Sequence, residues 1–542
     1  DRSDLTIRFR CAAIILASCA CVGCTSESAQ TTTSANQTQF SATDVIIPVD
    51  SPSSIAYTSS MQKAGTPVGV MEGLVIKDWN GTFNPLLAES WDVSNDAKTW
   101  TFHLVKNATW NDGESFTCAD VKFTNDYMKE KNLTMAFVLA DVDSIECPDD
   151  NTAVFNLKTS YSMFLDQLSR TPGITFSPKH IWENITDPQH YPDSQFIGTG
   201  PFVYVQTAPG YVQLKRNNNY HGKKANITGI VLKTITNADS QVLALKNGEV
   251  DVVTGLTPAV AQSLAGEKNI AVYSLNYTGA YEVAFNIEEY PANISAFRHA
   301  MSHAVDREAI NSVFGTGAPT DTTFLIPALA GDYVNPADIG MYDYNLTKTE
   351  ELLKEAGFVK NSEGILVGPD NSPVTITIPL GPKGGIGNQK VVAVLKNDWA
   401  KLGITVTSVS YPDENLRISA INQNPVFIDS FPVAKHDDPD ALLDFAVLPE
   451  IEQGDNYFHY NNSEYNALAR QLRNTSNHTL IRELGYTMQD ILARDVPTVP
   501  AVSTDTLVAY RTDRFTGWDI GPGFHSITDP QVLLNLTPVQ AT

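Results

Sequence analysis

The stretch of sequence that decides the fold reads Leu87-Ala88-Glu89-Ser90-Trp91, then Lys98-Thr99-Trp100-Thr101-Phe102-His103-Leu104, then Trp110-Asn111-Asp112-Gly113-Glu114-Ser115-Phe116-Thr117. Alternating polarity from Thr99 to Val105 predicts a strand. Asn111-Asp112-Gly113 predicts a hairpin turn whose glycine takes a positive φ. Thr117, followed by Asp120, predicts the N-cap and first turn of a helix. Strand, turn and helix signals therefore follow one another within about thirty residues.

Strand and helix patterns alternate along the rest of the chain. The predicted strands are 153–157, 229–235, 272–275, 374–378 and 404–409, and the predicted helices are 239–247, 296–311, 348–356, 389–402 and 463–473. Gly248, Gly357 and Gly403 each stand where a helix should end. No internal repeat is present, which excludes solenoids and propellers. The sequence predicts an α/β fold with mixed β-sheets flanked by helices.

Length and charge limit the classes of function. A chain of 542 residues is long enough for more than one hydrophobic core. Its 42% hydrophobic and 18% charged residues are typical of a water-soluble protein and exclude a multi-span membrane protein. The formal net charge of −24 repels phosphate backbones, so we expect no nucleic-acid partner.

The N-terminal residues indicate export. Arginines precede an apolar run from Cys11 to Val22, which is too short to span a bilayer and predicts a signal peptide over residues 1–24. The run ends in Cys21-Val22-Gly23-Cys24, which resembles a lipobox with Cys24 as the lipidated residue. Residues 25–43 are mostly small and polar and predict a flexible tether. We expect a protein anchored to the outer face of the cell membrane, in the periplasm or at the cell surface; a cleaved signal with a free product is the alternative.

Cysteines and glycosylation sequons agree with an extracytoplasmic location. Beyond the signal region only Cys118 and Cys147 remain, and they form either a disulfide or two separate buried thiols. About thirteen Asn-X-Ser/Thr sequons, such as Asn107-Ala108-Thr109, are about twice the number expected by chance. They indicate cell-surface N-glycosylation, as in many archaea, or simply a surface rich in Asn and Thr.

Further motifs follow the first stretch in a fixed order: Gly198-Thr199-Gly200-Pro201-Phe202, Tyr220-His221-Gly222-Lys223, Lys246-Asn247-Gly248, Phe285-Asn286, Phe297-Arg298-His299-Ala300, Tyr342-Asp343-Tyr344-Asn345 and Leu352-Leu353-Lys354-Glu355-Ala356-Gly357-Phe358. From about residue 45 to the C-terminus the series resembles the large solute-binding proteins of peptide and nickel ABC importers, extracellular solute-binding protein family 5. The resemblance implies a periplasmic-binding-protein-like clamp of type II with two lobes and an extra inserted domain. It places the first lobe at 44–84, 196–286 and 509–542, the inserted domain at 85–195 and the second lobe at 287–508.

This resemblance also implies a function. Such proteins enclose a solute by clamp closure and deliver it to membrane permease subunits served by cytoplasmic ATPases. We expect a monomer without cofactor and without enzymatic activity, since no nucleophile elbow, zinc-binding helix or phosphate loop is present. Oligopeptide is the leading ligand, ahead of a nickel or other metal chelate and an oligosaccharide. A structural or adhesive surface glycoprotein is the alternative from another class.

Two segments resemble parts of the family's ligand pocket. Met71-Glu72-Gly73 matches the pocket floor, where Glu72 meets a ligand amine, or is instead a solvated acid or part of a structural ion pair. Residues 429–440 are similar to the segment that pairs with an extended peptide like an added strand. Aligned on Asp438-Pro439, Lys435 replaces the aspartate that holds the peptide amine. We therefore expect Lys435 to bind a carboxylate or phosphate, or to neutralise Asp437.

Other candidate contacts come from aromatic and metal-ligating side chains. Neighbouring imidazole and carboxylate groups suit a metal, but a proline lies among them and we expect no direct metal site. The aromatic residues could stack on a sugar or an apolar side chain, or belong to the core. Besides Met71, Glu72, Gly73 and Lys435, the predicted ligand-binding residues are Tyr57, Trp110, Tyr281, Phe285, Asn286, Phe431, Val433, His436 and Asp437.

Overall fold

The computed structural model describes residues 40–50, 68–78, 81–169, 174–188, 196–315, 323–381, 385–431, 438–449, 456–518, 527 and 529–539. The strands in these ranges are β1 (Asp44–Val49), β2 (Val75–Lys77), β3 (Phe83–Pro85), β4 (Ala88–Val93), β5 (Thr99–Leu104), β6 (Val142–Asp149), β7 (Thr152–Leu157), β8 (Phe202–Ala208), β9 (Tyr211–Arg216), β10 (Gly229–Thr234), β11 (Val252–Leu256), β12 (Ile270–Phe285), β13 (Val359–Lys360), β14 (Leu366–Val367), β15 (Thr375–Leu380), β16 (Thr405–Ser410), β17 (Val426–Phe431), β18 (Thr498–Arg511), β19 (Phe515–Thr516) and β20 (Thr537–Pro538).

The helices lie between and after these strands. They are α1 (Cys118–Glu130), α2 (Phe164–Ser169), α3 (Lys179–Trp182), α4 (Ala238–Asn247), α5 (Pro258–Leu264), α6 (Ser295–Ser302), α7 (Arg307–Phe314), α8 (Pro327–Ala330), α9 (Leu346–Glu355), α10 (Ile386–Lys401), α11 (Glu414–Ile421), α12 (Ser463–Arg473), α13 (His478–Asp495) and α14 (Pro530–Asn535). Short 3₁₀ helices cover Thr134–Leu139, Gly331–Tyr333, Pro336–Asp338 and Pro439–Phe445. The predicted α/β class is confirmed.

The stretch that opened the sequence analysis folds as predicted. β4 and β5 pair antiparallel within a sheet of order β4-β5-β7-β6. Gly113 takes a φ of 102°, as the turn requires. Thr117 caps α1 by accepting a hydrogen bond from the N–H of Ala119, and the Asp120 carboxylate accepts one from the N–H of Thr117. This capping box satisfies backbone donors that the first turn cannot pair internally.

A disulfide joins α1 to β6. Cys118 is the first residue of α1 and is fully buried, whereas Cys147 lies on the exposed part of β6. Their sulfur atoms are 2.03 Å apart. The bond closes a loop with a sequence separation of 29 residues, which holds the helix against the sheet.

Buried apolar residues form two main cores. One contains Val45, Phe202 and Leu533 beside the sheet β1-β10-β9-β8, in which β1 and β10 are parallel. The other joins residues of 74–182 to residues of 283–502 in one continuous cluster. The first core therefore draws on both ends of the described chain, and the second connects the region around β4–β7 with the region around α6–α13.

Two long antiparallel strands, β12 and β18, run from one core to the other, and we call this pair the crossing ribbon. Leu275 and Val508 belong to the core beside β1, whereas Val283 and Val499 belong to the second core. The ladder is irregular between Leu275 and Gly279. The crossing ribbon is thus continuous along its length but locally deformed near its middle.

The deformation in the crossing ribbon has its own hydrogen bonds. Tyr277 takes a φ of 57°, in the left-handed region that L-residues seldom adopt. The Asp505 carboxylate accepts hydrogen bonds from the Tyr277 N–H and the Ser274 hydroxyl, each at 3.1 Å. Burial raises the pKa of Asp505. Side-chain contacts from β18 therefore replace the ladder bonds that the bulge interrupts.

Two predicted elements have different bounds in the structure. The predicted helix 296–311 is two helices, α6 and α7, because the chain leaves α6 at His303 and Asp306 caps a new helix through the N–H of Ala309. The predicted strand 272–275 is only a fraction of β12, which has 16 residues. Asp306 was the visible signal for the break, since aspartate is a preferred N-cap.

Candidate ligand-binding site

The end of β17 meets the crossing ribbon at its deformed region. β17 pairs antiparallel with β12, with Ser430 opposite Tyr281 and Phe431 opposite Ala280. β18 pairs with the other edge of β12, where Tyr281 faces Val502. The structure thus brings the backbones of two predicted ligand-contact positions, Tyr281 and Phe431, together beside the place where the chain passes between its two cores.

Among the predicted aromatic contacts whose side chains the structure describes, Tyr281 keeps part of its side chain exposed. Its ring packs against Phe314 at a centroid distance of 4.9 Å, and its hydroxyl lies against Gly387 in the first turn of α10. Burial raises the pKa of Tyr281, so the hydroxyl remains protonated and can donate a hydrogen bond at neutral pH. A half-buried aromatic ring with a polar tip suits contact with an apolar or peptide-like ligand.

Glu72 is held by two neighbouring side chains. The Tyr220 hydroxyl donates to Oε1 at 2.6 Å, and His221 Nε2 lies 3.0 Å from Oε2. Glu72 is only 5% exposed. Burial and the nearby carboxylate raise the pKa of Tyr220, which keeps its hydroxyl a donor. Both Glu72 carboxylate oxygens thus have partners within the protein.

The residues on either side of Glu72 are tightly packed. Met71 is buried in the core beside β1, and a Cβ at Gly198 would lie 3.1 Å from its sulfur. A Cβ at Gly73 would lie 2.8 Å from the carbonyl oxygen of Ile174, too close for any side chain. Glu72 also accepts a backbone hydrogen bond from the Phe176 N–H. We call Met71-Glu72-Gly73, the predicted pocket floor, the strap. Close contacts hold it between Gly198 on one side and Ile174 and Phe176 on the other.

Three other predicted contacts lie inside the protein. Trp110 is 1% exposed and packs edge-on against Phe116, and Phe285 is fully buried. Asn286 is also buried; its amide reaches the Ile421 carbonyl and its oxygen accepts from the Glu288 N–H. In this structure these side chains contribute to core packing and turn formation, and their role as ligand contacts stays a prediction.

The segment expected to pair with a ligand is anchored where it ends. Asp438 Oδ2 lies 2.7 Å from Lys77 Nζ, and Lys77 Nζ also lies 2.6 Å from Asp166 Oδ1. Asp438 additionally caps the 3₁₀ helix at Pro439–Phe445 through the Asp440 N–H. Nothing in the sequence patterns identified Lys77 or Asp166, because the pairing spans 361 and 89 residues respectively.

The remaining predicted site residues lie outside the described residues: Cys24, Tyr57, Val433, Lys435, His436 and Asp437. The side chain of Phe431 is not described either. Among the residues that the structure does describe, no three His, Cys, Asp or Glu side chains come together as a metal-binding group. Asp438 and Asp440, which stood beside the metal hypothesis, instead contact Lys77 and Tyr161.

We expect Glu72→Gln to lower the free energy of unfolding by about 2 kcal/mol, because the amide cannot accept from both Tyr220 and His221 and leaves a buried donor unpaired. Chemical denaturation of the purified protein measures this. Glu267→Gln is the matched control, since the Lys246–Glu267 pair is substantially exposed and worth at most about 1 kcal/mol. Unchanged stability with lost ligand affinity would instead assign Glu72 to the ligand.

The two cores, the crossing ribbon that joins them and the pairing of β17 with this ribbon define a clamp-type binding protein. Residues 82–447 match the model of the bacterial extracellular solute-binding proteins, family 5 Middle. The chain belongs to this family, which confirms the resemblance seen in the sequence.

Known proteins agree with this assignment. The chain is 26% identical over 442 residues to the dipeptide-binding protein of Escherichia coli K12, covering 76% of this chain and 79% of the relative. Its fold is similar to NikZ from Campylobacter jejuni in complex with Ni(L-His), with a TM-score of 0.74, 22% identity, and 92% and 100% of the two chains covered. It is also similar to the oligopeptide-binding protein AppA of Bacillus subtilis in complex with a nonapeptide, with a TM-score of 0.72, 19% identity, and 92% and 99% coverage.

Family membership fixes the general role. The protein is the substrate-binding component of an ABC importer, it acts with permease subunits, and it is a transport protein rather than an enzyme. The family is extracellular by its own description. Within the part of the chain that the structure describes, none of the helices is both long enough and apolar enough to cross a membrane.

Proposed function

We propose that the protein captures oligopeptides outside the cytoplasm and delivers them to its permease as a monomer anchored by lipid at Cys24. The observation that carries the peptide assignment is the position of β17. This strand ends beside the deformed crossing ribbon, and the chain is anchored again at Asp438 by Lys77. Phe431 and Asp438 thus contact two different parts of the clamp, and the resemblance of residues 429–440 to a segment that pairs with an extended peptide supports the peptide assignment.

Sequence relatives support the same ligand class. The dipeptide-binding protein of Escherichia coli is named for the binding of a peptide, and its match covers most of this chain. The likeness to the Ni(L-His) complex is at 22% identity and concerns the fold alone. Peptide therefore stands ahead of metal chelate and oligosaccharide, and the family assignment favours an importer component over an adhesive surface glycoprotein.

Lys435 sets the expected mode of peptide binding. Because the resemblance implies an aspartate for the peptide amine at the position of Lys435, we propose that Lys435 pairs with an anionic group, either on the ligand or at Asp437. An ammonium group facing the free amine of a peptide would repel it. A peptide with a blocked N-terminus should consequently bind as well as the free peptide.

We expect a bound peptide to raise the midpoint of thermal unfolding, since a ligand at a hundredfold excess over Kd adds about 2.7 kcal/mol of stability. Mass spectrometry of copurifying compounds selects the peptides, and calorimetry compares each free peptide with its N-acetylated form. Lys435→Ala should weaken the binding of peptides with acidic groups about tenfold or more, whereas the exposed Lys215→Ala should not.

Other results would change the proposed ligand class, the proposed mode of binding or the binding function itself. Stabilisation by nickel–histidine or oligosaccharide, with none by peptides, would replace peptide as the ligand class. Loss of binding on N-acetylation would show that the amine is anchored despite Lys435. The absence of any shift with peptides, sugars and metal chelates would contradict the binding function itself.

A further inference from the structure

A cluster of buried polar side chains joins the region around β4–β7 to the region around α12. Arg473 Nη2 lies 3.0 Å from Asp141 Oδ1, with the two side chains only 6% and 9% exposed. The Arg473 guanidinium lies 4.0 Å from the centroid of the Tyr161 ring. The Tyr161 hydroxyl donates to Asp440 Oδ1 at 2.6 Å. Asp141, Tyr161, Asp440 and Arg473 form what we call the latch.

Backbone contacts lie directly beside the latch. The Ser162 N–H donates to the Arg473 carbonyl at 2.8 Å, and the Ser162 hydroxyl donates to the Leu472 carbonyl at 2.9 Å. These atoms are separated by more than 300 residues in sequence. The Lys77–Asp438 pair adds a contact between β2 and the start of the 3₁₀ helix that carries Asp440. The junction is therefore built from specific, directional contacts, and apolar packing continues through it.

The region that carries Asp141 and Tyr161 is fixed to the strap and to the core beside β1. The Leu87 N–H donates to the Gly73 carbonyl and the Asn111 N–H donates to the Gly198 carbonyl. Close backbone packing at Gly73 and Gly198 leaves these junctions no room to slide. The region that carries Asp440 and Arg473, in contrast, reaches the core beside β1 through the crossing ribbon. Bending of the ribbon at its deformed segment would therefore move the two halves of the latch relative to each other.

We propose that the latch holds the clamp closed independently of ligand and so sets its affinity for every ligand. Closure desolvates Arg473 and Asp141 together, so each compensates the other only in the closed form. A ligand that binds the closed form then spends less of its binding free energy on closing the clamp. The apparent Kd falls as the closed fraction of the ligand-free protein rises. The expected effect on affinity rests on the proposed binding function. The expected effect on the radius of gyration of the ligand-free protein does not.

Small-angle X-ray scattering of the ligand-free protein tests the latch directly. We expect Asp141→Asn to increase the radius of gyration, because Arg473 is then better solvated in the open form. Tyr161→Phe keeps the ring under Arg473 but loses the bond to Asp440, so its shift should be smaller. Asp398→Asn is the matched control: Asp398 is 5% exposed on its side chain and pairs with Lys401 at 2.7 Å inside α10, away from the junction.

Affinity measurements give the second readout. Asp141→Asn should weaken binding about tenfold, and by the same factor for a dipeptide, a longer peptide and a nickel–histidine complex, whichever of these bind the wild type. Opening of the ligand-free variant while no compound binds would support the latch and contradict the proposed ligand class. Scattering profiles identical to the wild type in both latch variants, or an equal shift in Asp398→Asn, would overturn the latch. If Asp141→Asn does not fold, Tyr161→Phe decides.

Discussion

Gly198→Ala is expected to lower the free energy of unfolding by about 3 kcal/mol or more. A Cβ at this position would overlap the carbonyl oxygen of Val70, which belongs to the backbone and cannot rotate away. The neighbouring Gly200 meets the carbonyl of Gly69 in the same manner. Because the Gly198 carbonyl also accepts a backbone hydrogen bond from the Asn111 N–H, the substitution should weaken the contact between the segment at Gly198 and the region around β4–β7.

Chemical denaturation compares this variant with Gly266→Ala. A Cβ at Gly266 meets nothing within 4 Å and its φ is not left-handed, so alanine there should be neutral or stabilise by up to about 1 kcal/mol. Equal stability of the two variants would show that the strap can shift to make room, and would contradict the close packing that fixes the inserted region.

Cys147→Ser is expected to lower the free energy of unfolding by about 3 to 4 kcal/mol. The loop with a sequence separation of 29 gains conformational freedom in the unfolded chain when the bond is absent. Cys147 is the better position to change because it is exposed, whereas serine at the buried Cys118 would also bury a hydroxyl group.

Urea unfolding of the oxidised protein, the reduced protein and Cys147→Ser measures the effect. Reduction should lower the free energy of unfolding by the same amount as Cys147→Ser, since both remove the same covalent link. Titratable thiols at both Cys118 and Cys147 in the unreduced protein, with no difference in stability between the three samples, would contradict the disulfide.

Local elements could be predicted from the sequence where a turn or cap residue marked them. Thr117, Gly113 and Gly248 each stand where the structure places a cap or a left-handed residue. The prediction was wrong where a local pattern was incomplete. The β12 strand was predicted at only a quarter of its length because its middle includes a bulge and mixed polarity, and such a strand is defined by its partners.

The candidate site was harder to predict than the fold. Aromatic residues in family motifs, such as Trp110 and Phe285, were candidates for ligand contact, but sequence alone does not distinguish a ring on a pocket wall from one in the core. Glu72 was predicted with alternative roles, and the partners Tyr220 and His221 stood in a motif already noted. Lys77, Asp166 and the latch pair residues far apart in the chain, so no local spacing could reveal them.

The glycines at positions 198 and 200 are required for close backbone packing rather than for flexibility. Two glycines before a proline suggest a flexible crossing, yet the structure places neither glycine in the left-handed region. Both are required because another backbone passes directly against them. The same residues that predict mobility in a sequence can therefore mark the most closely packed point of a fold.

The core beside β1 has a consequence for how the protein is made. It combines Val45 and Ile47 with Val532, Leu533 and Leu536, and the Arg514 side chain donates to the backbone carbonyl of Asp44. Nearly five hundred residues must therefore emerge from the ribosome before this core can close. The core beside β1 therefore forms last during synthesis, after every residue of the second core has been made.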